Sequence, residues 1–245
     1  MRDAVHARVD RWRALIALLV LWALIHHIYG TEALASPIET AQRIADLLLG
    51  TRWWSHAGVT VSVWVAAFAL AAFVGVVAGV LMGVCRPAGQ VMEPFLSALA
   101  SLPKVTLYPL VLLVCGLGVS SKLVFGFLHG VLPVLLFTLG AVRQLPLIQL
   151  KSAQAMGVSR ATCLRHVVLP SIRISVLSGL KLGASLTLLG VLIGEMFGAQ
   201  KGLGFLLMNA MELNDSVTLS ALSVLLLVMA LGLNAGFERL TQHAR

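Results

Sequence analysis

Two charged side chains, Lys181 and Glu195, stand inside otherwise apolar stretches of the sequence. An ionisable group in a long apolar segment is costly against hydrocarbon, so its position implies binding, proton relay or pairing. Fourteen residues separate the two, about 21 Å along a helix at 1.5 Å per residue, which is too far for direct pairing. Lys181 falls about nine residues into its stretch, roughly 14 Å deep, where a central charge costs on the order of 3 kcal/mol. It can pass an anion along a pathway, find a partner in the bundle, or turn its ammonium toward the nearer edge. Glu195 is placed to fix a hairpin made by Gly198, Gly202 and Gly204, or to act as a gate. His129 lies in another apolar stretch and suits a proton relay or a hydrogen bond inside a bundle.

No catalytic constellation accompanies these groups. The sequence has no G-x-x-x-x-G-K-[ST] phosphate loop, no H-E-x-x-H, and no paired aspartates suited to a lipid phosphate. Cys85, Cys115 and Cys163 lack metal-ligand spacing, and their odd number argues against a disulfide framework. The expectation is a chain that is not an enzyme and holds no metal or cofactor. Energy for uphill movement must then come from a partner or an ion gradient.

The elements that position these residues follow from composition. Hydrophobic residues make up 59% of the chain and charged ones 11%, with a mean hydropathy of +0.94, against about a quarter charged in soluble domains. So few polar side chains cannot cover a water-facing surface, and much of the chain must lie in lipid. Spanning backbone must satisfy its own hydrogen bonds, as helices or a closed barrel. The apolar runs are continuous over about 20 residues and do not alternate, so helices are expected. The fold class is all-α integral membrane, a single polytopic domain over 1–245. The net charge of +8 is scattered among apolar spans without interleaved aromatics, which excludes nucleic acid as a partner and leaves membrane lipid.

Six spans are expected, at about 14–29, 57–84, 95–117 (broken by Pro103 and Pro109), 123–142, 172–199 and 217–237. Residues 31–56 read as an outer-side amphipathic segment entered at Ser36-Pro37, with Trp53 and Trp54 as interfacial anchors of the second span. With the N-terminus inside, thirteen of the eighteen Lys and Arg residues fall on the cytoplasmic side. Four (Arg43, Arg52, Lys122 and Lys201) fall outside, and Lys181 within a span. This places both termini in the cytoplasm. The first span, behind a basic head, also reads as a signal peptide ending near Ala33-Leu34-Ala35.

Ala71, Gly75, Gly79 and Gly83 recur every four residues in the second span, one helical stripe of small residues that lets another backbone approach. The neighbour is a helix of the same chain or of a second copy. Between the fourth and fifth spans, 146–170 is polar. There Gly157 joins two short helices, Ser159 caps the second, Pro170 ends it, and Val158, Leu164 and Val167 give it an apolar side against Arg160 and Arg165.

That segment, with Gly157 followed by Val167-Val168-Leu169-Pro170, resembles the cytoplasmic coupling loop of permease subunits of ABC importers. Ser178-Gly179-Leu180-Lys181-Leu182, Gly194-Glu195-Met196-Phe197-Gly198 and Gly202-Leu203-Gly204-Phe205 extend the resemblance downstream. Pro103, Pro109, Gly116-Leu117-Gly118 and Ser121-Lys122 extend it upstream, from about residue 36 to 237, nearest the sulfonate, taurine and nitrate branch. The resemblance implies the type I importer fold in a bacterial inner membrane. It also implies a pair of permease copies, two ABC ATPase subunits that bind the ATP and Mg, and an extracytoplasmic solute-binding protein. Lys151, Ala153, Gly157, Ser159, Arg160, Leu164 and Pro170 would dock the ATPase, with Lys181, Glu195, Pro103 and Pro109 as pathway or gate candidates. The alternative from another class is an ion-coupled carrier, which needs intramembrane acids, of which Glu195 is the clear case.

One position departs from the family pattern, which opens the loop with Glu-Ala-Ala where this chain has Lys151-Ser152-Ala153. Charge reversal at a docking surface alters partner choice more than bulk affinity. The cognate ATPase is expected to present an acidic or neutral group opposite Lys151. Lys151→Glu should therefore weaken assembly with the native ATPase, and unchanged assembly and transport would exclude that pairing.

Overall fold

The computed structural model describes residues 2–146, 148 and 155–243. Every regular element among them is helical: α1 Arg2–Tyr29, α2 Pro37–Leu49, α3 Thr51–Val84, α4 Arg86–Ser101, α5 Tyr108–Cys115 and α6 Val119–Arg143. After these come α7 Arg160–Cys163, α8 Leu169–Gly198, α9 Leu203–Glu212 and α10 Ser216–His243. Four continuous helices are long and apolar enough to cross a membrane: Thr51–Val84, Val119–Arg143, Ala161–Gly198 and Ser216–Gln242. Ile16–Tyr29, within α1, is a shorter apolar helix.

The core is three helices, with α6 packed between α3 and α8. Ala71, Gly75, Gly79 and Gly83 are all buried, and the stripe meets α6 of the same chain. A methyl group added at Gly75 would stand 2.8 Å from Val134 Cβ, and one at Gly79 would stand 2.6 Å from Thr138 Cβ. The stripe is thus used within the subunit. α8 repeats the device on the other side of α6, where Gly179 approaches Phe137 and Gly190 approaches the Phe125 carbonyl. Lipid tails are as apolar as leucine, so helices in a bilayer gain most from such close van der Waals packing.

In the third span the break is sharp, with 87–101 and 104–115 meeting at 88°. Three expectations change around it and elsewhere. Pro103 forces the preceding Leu102 into extended backbone (φ −66, ψ 139), and Pro109 opens α5, where a missing N–H costs nothing. Lys104 therefore sits in the break, its Nζ donating to the Ala100 carbonyl at 3.0 Å, and does not belong to a loop between spans. Next, Pro170 does not end a helix. The chain runs helically from Ala161 to Gly198, and a π turn at Leu164–Val168 accommodates the proline ring that would collide with a carbonyl one turn earlier. Last, of the two expected interfacial tryptophans, Trp53 is buried against Leu203 and Leu222, while Trp54 is exposed.

α2 begins with a capping box. Ser36 Oγ accepts from the Glu39 N–H at 3.2 Å, and Glu39 Oε2 accepts from the Ser36 N–H at 2.9 Å. The second of these bonds, reinforced by the serine hydroxyl, holds the Glu39 carboxyl below its ordinary value. α2 is tied to α10 by Arg43 Nε donating to Thr218 Oγ1 at 2.9 Å. α1 is fastened near its C-terminus, where Trp22 Nε1 donates to the Ala35 carbonyl at 2.9 Å.

The stripe generates a measurable expectation. Gly79→Leu should lower stability by about 1–3 kcal/mol through overpacking, read as a lower thermal midpoint in detergent. Gly140, around which an added Cβ meets nothing within 4 Å, should accept alanine without that loss.

Candidate functional site

The bundle has two working ends. One, here the loop end, carries the termini of α3 and α6 and the start of α7; the other, the hairpin end, carries the α8–α9 turn.

At the loop end, Gly157 has φ +73, a left-handed conformation that favours glycine, and nothing crowds it. Ser159 Oγ accepts from the Thr162 N–H at 3.2 Å and caps the helix that Arg160 starts. Met156, Thr162, Arg165 and His166 are exposed, whereas Leu164 is half-buried against Val142, Val168 and Ile172. One face of this segment is anchored and the other is open. Lys151 and Ala153 lie outside the described residues. Pro170 is exposed within the continuous helix. Arg143 at the end of α6 pairs with Glu93 on α4, tying the broken span to the core.

At the hairpin end, Glu195 is fully buried. Thr60 Oγ1 on α3 donates to its carboxylate at 2.8 Å, and the Gly204 N–H donates at 3.0 Å. Thr60 Oγ1 also accepts from the Leu203 N–H at 2.8 Å, and the Gly202 N–H donates to His56 Nδ1 at 3.0 Å. That last bond leaves the His56 ring proton on Nε2. Three of the orphan N–H groups at the start of α9 are thereby satisfied by side chains of α3 and α8. Gly202, at φ +128, lies so close to the Glu195 carboxyl that no side chain fits. Lys122 is buried on α6, its Nζ donating to the Lys201 carbonyl at 3.3 Å, and its charge acts on Glu195. Tyr108 O–H donates to the Gly194 carbonyl at 2.6 Å and locks α5 to the same hairpin. Glu195 thus ties α3, α8 and α9 together. His129 Nδ1 lies 2.9 Å from the Phe125 carbonyl of its own helix.

Between these ends, Lys181 Nζ donates to Glu238 Oε1 on α10 at 2.7 Å, in an open cleft of about 450 Å³. Reading the sequence did not single out Thr60, His56 or Glu238. The signals were present: His56 and Thr60 are one turn apart at the head of an apolar run, and Asn234, Glu238 and Thr241 recur on one face.

Comparison with known proteins adds identity to this geometry. Residues 71–244 match the family described as binding-protein-dependent transport system inner membrane component. The taurine transport system permease protein of Escherichia coli (strain K12) is 27% identical over 98% of this chain and 96% of its own length. The riboflavin transport system permease protein of Chloroflexus aurantiacus is 30% identical over 88% of this chain and 82% of its own. The putative aliphatic sulfonates transport permease protein of Bacillus subtilis is 22% identical over 81% and 73%. Among solved structures, a chain of the MetNI methionine ABC transporter superposes with a TM-score of 0.69 at 16% identity, covering 78% of this chain and 94% of that one. The type I importer fold follows from that superposition.

The buried knot at Glu195 can be tested alone. Thr60→Val removes one donor to the carboxylate and the acceptor of the Leu203 N–H, at a cost of about 1–3 kcal/mol. The Leu203 amide should exchange with solvent faster, and Thr60→Ser should restore most of the protection.

Proposed function

This chain belongs to the family of binding-protein-dependent transport system inner membrane components, and from that premise we propose how its two ends work together. It is the multi-pass, membrane-spanning permease subunit of an ABC importer, and family membership implies an ATPase and a binding protein as partners. The ion-coupled carrier alternative has no support.

In the proposed reading two copies form the pathway, two ATPase subunits that bind the ATP and Mg dock at the loop end, and a binding protein delivers solute at the hairpin end. The hydrolysis belongs to the partner. The observation that carries the docking assignment is the exposed turn at 155–166, joined without a break to a helix running to Gly198. Gly157, Ser159 and Leu164 shape that surface, Arg160 opens the helix there, and Lys151 and Ala153 precede it in sequence. ATP binding draws the ATPase pair together, the docked turns follow, and α8 carries the movement toward the hairpin. The loop end is assigned to the cytoplasm together with both termini. With Lys104 removed from the tally, twelve basic residues against four still favour that orientation.

The solute we propose is a small organic anion or zwitterion of the sulfonate kind. Two relatives are named for taurine and for aliphatic sulfonates. The cationic Lys181 in a cleft of this chain suits such a group.

Reconstitution tests the proposal. The chain should co-purify with its ATPase, and proteoliposomes supplied with the binding protein should import labelled taurine or an alkanesulfonate only with ATP. Transport by the chain alone, driven by an ion gradient, would overturn the reading.

A further inference from the structure

The cleft between α8 and α10 carries polar side chains on both walls, beside Leu182, although both helices are spans. Ser178, Lys181 and Ser185 share one face of α8, and Asn234, Glu238 and Gln242 share one face of α10. Ser185 is thirteen residues from Gly198 and sixteen from Leu169, about 20 and 24 Å, so it lies near the middle of α8. The ionisable Lys181 and Glu238 on these walls do not suit lipid; such groups within spans face a protein partner or a water-filled cavity. The hydroxyls of Ser178 and Ser185 donate to carbonyls of their own helix, as does the Asn234 amide, so their acceptor atoms are left to other partners. By contrast, Leu70, Phe73, Val77 and Leu81 form an exposed, wholly apolar stripe on α3. The two surfaces are built for different solvents.

The ion pair in this cleft is poorly suited to a purely structural role. The Lys181 and Glu238 side chains keep 31% and 62% of their exposure, and a pair so wet contributes little to stability. It keeps a cation and an anion in the opening, each with sites left to bind something else. The ammonium has two further donors beyond its bond to Glu238.

We propose that the α8–α10 cleft is the water-filled part of the solute path toward the loop end, and that Lys181, released from Glu238, binds the anionic group of a small solute there. The amino group of a zwitterion would take the place of Lys181 on Glu238. This inference rests on the permease reading above and extends it to named residues.

Cysteine accessibility tests it in the assembled transporter. Cys85, Cys115 and Cys163 are first replaced by serine; Ser185→Cys, Asn234→Cys and Phe73→Cys are then made singly, with the ATPase and binding protein present. An anionic sulfonatoethyl methanethiosulfonate should modify Ser185→Cys and Asn234→Cys about tenfold faster than Phe73→Cys, which faces apolar surroundings. Trapping with ATP and vanadate should slow the two cleft positions about threefold or more as access alternates. In the Ser185→Cys background, Lys181→Met should lower the ratio of anionic to cationic reagent rates about threefold, and Glu238→Gln should raise it. Ser185→Cys reacting no faster than Phe73→Cys, or rates indifferent to trapping, would overturn the path assignment. A reagent ratio moved by neither charge variant would overturn the anion site. Continued ATP-driven import in either case would leave the permease reading standing and remove only this inference.

Discussion

Everything in this bundle depends on backbone-to-backbone approach along α6. Two other helices lie against it closely enough that a single methyl group at Gly75, Gly79 or Gly190 would collide with side-chain or main-chain atoms. In water, burial of large side chains would drive such an assembly; in a bilayer that drive is missing, and contact density replaces it. Small residues on α3 and α8 bring α6 within reach of both. The polar features then have fixed neighbours: Thr60 on α3 reaches Glu195 on α8 where those two helices also meet each other beside α6.

The hairpin end uses that spacing for a second kind of bond. Helix α9 starts inside the protein, so its first N–H groups have no water to turn to. His56, Thr60 and Glu195 take their place, one acceptor for each of Gly202, Leu203 and Gly204. The buried Glu195 carboxyl finds its own partners in the same knot, the Thr60 hydroxyl and the Gly204 N–H. Any change in the direction of α8 at Glu195 must move α9 with it.

Much of this was legible in the sequence where one physical rule acted alone. The four-residue period of Ala71 to Gly83 reports a helix face, and the turn at Gly157 with its serine cap reports a break between elements. Reading was less successful where two rules competed. Pro170 looks like a terminator by its missing N–H, but a π turn absorbs it and the helix continues. Pro103 announces a break in its apolar run, but the 88° turn there, and the placing of Lys104 within it, come from the fold. The partners of Glu195 and Lys181 were not legible, since Thr60 and Glu238 lie 135 and 57 residues away and meet them only through packing.

The helix from Ala161 to Gly198 has a mechanical consequence. Its 38 residues make a strut about 57 Å long, loaded at one end by the exposed turn and at the other by the Glu195 knot. Its glycine contacts with α6, from Gly179 to Gly194, centre nearer the hairpin end and leave a long arm of about 38 Å toward the exposed turn and a short one of about 17 Å. A tilt of about five degrees then displaces the two tips by about 3.3 and 1.5 Å, in opposite directions. The π turn is the only irregularity along it, close to the loaded end, so compliance is confined to the first few residues and the rest of the long arm stays stiff. A stroke at the loop end thus reappears at the hairpin end reversed and reduced about twofold.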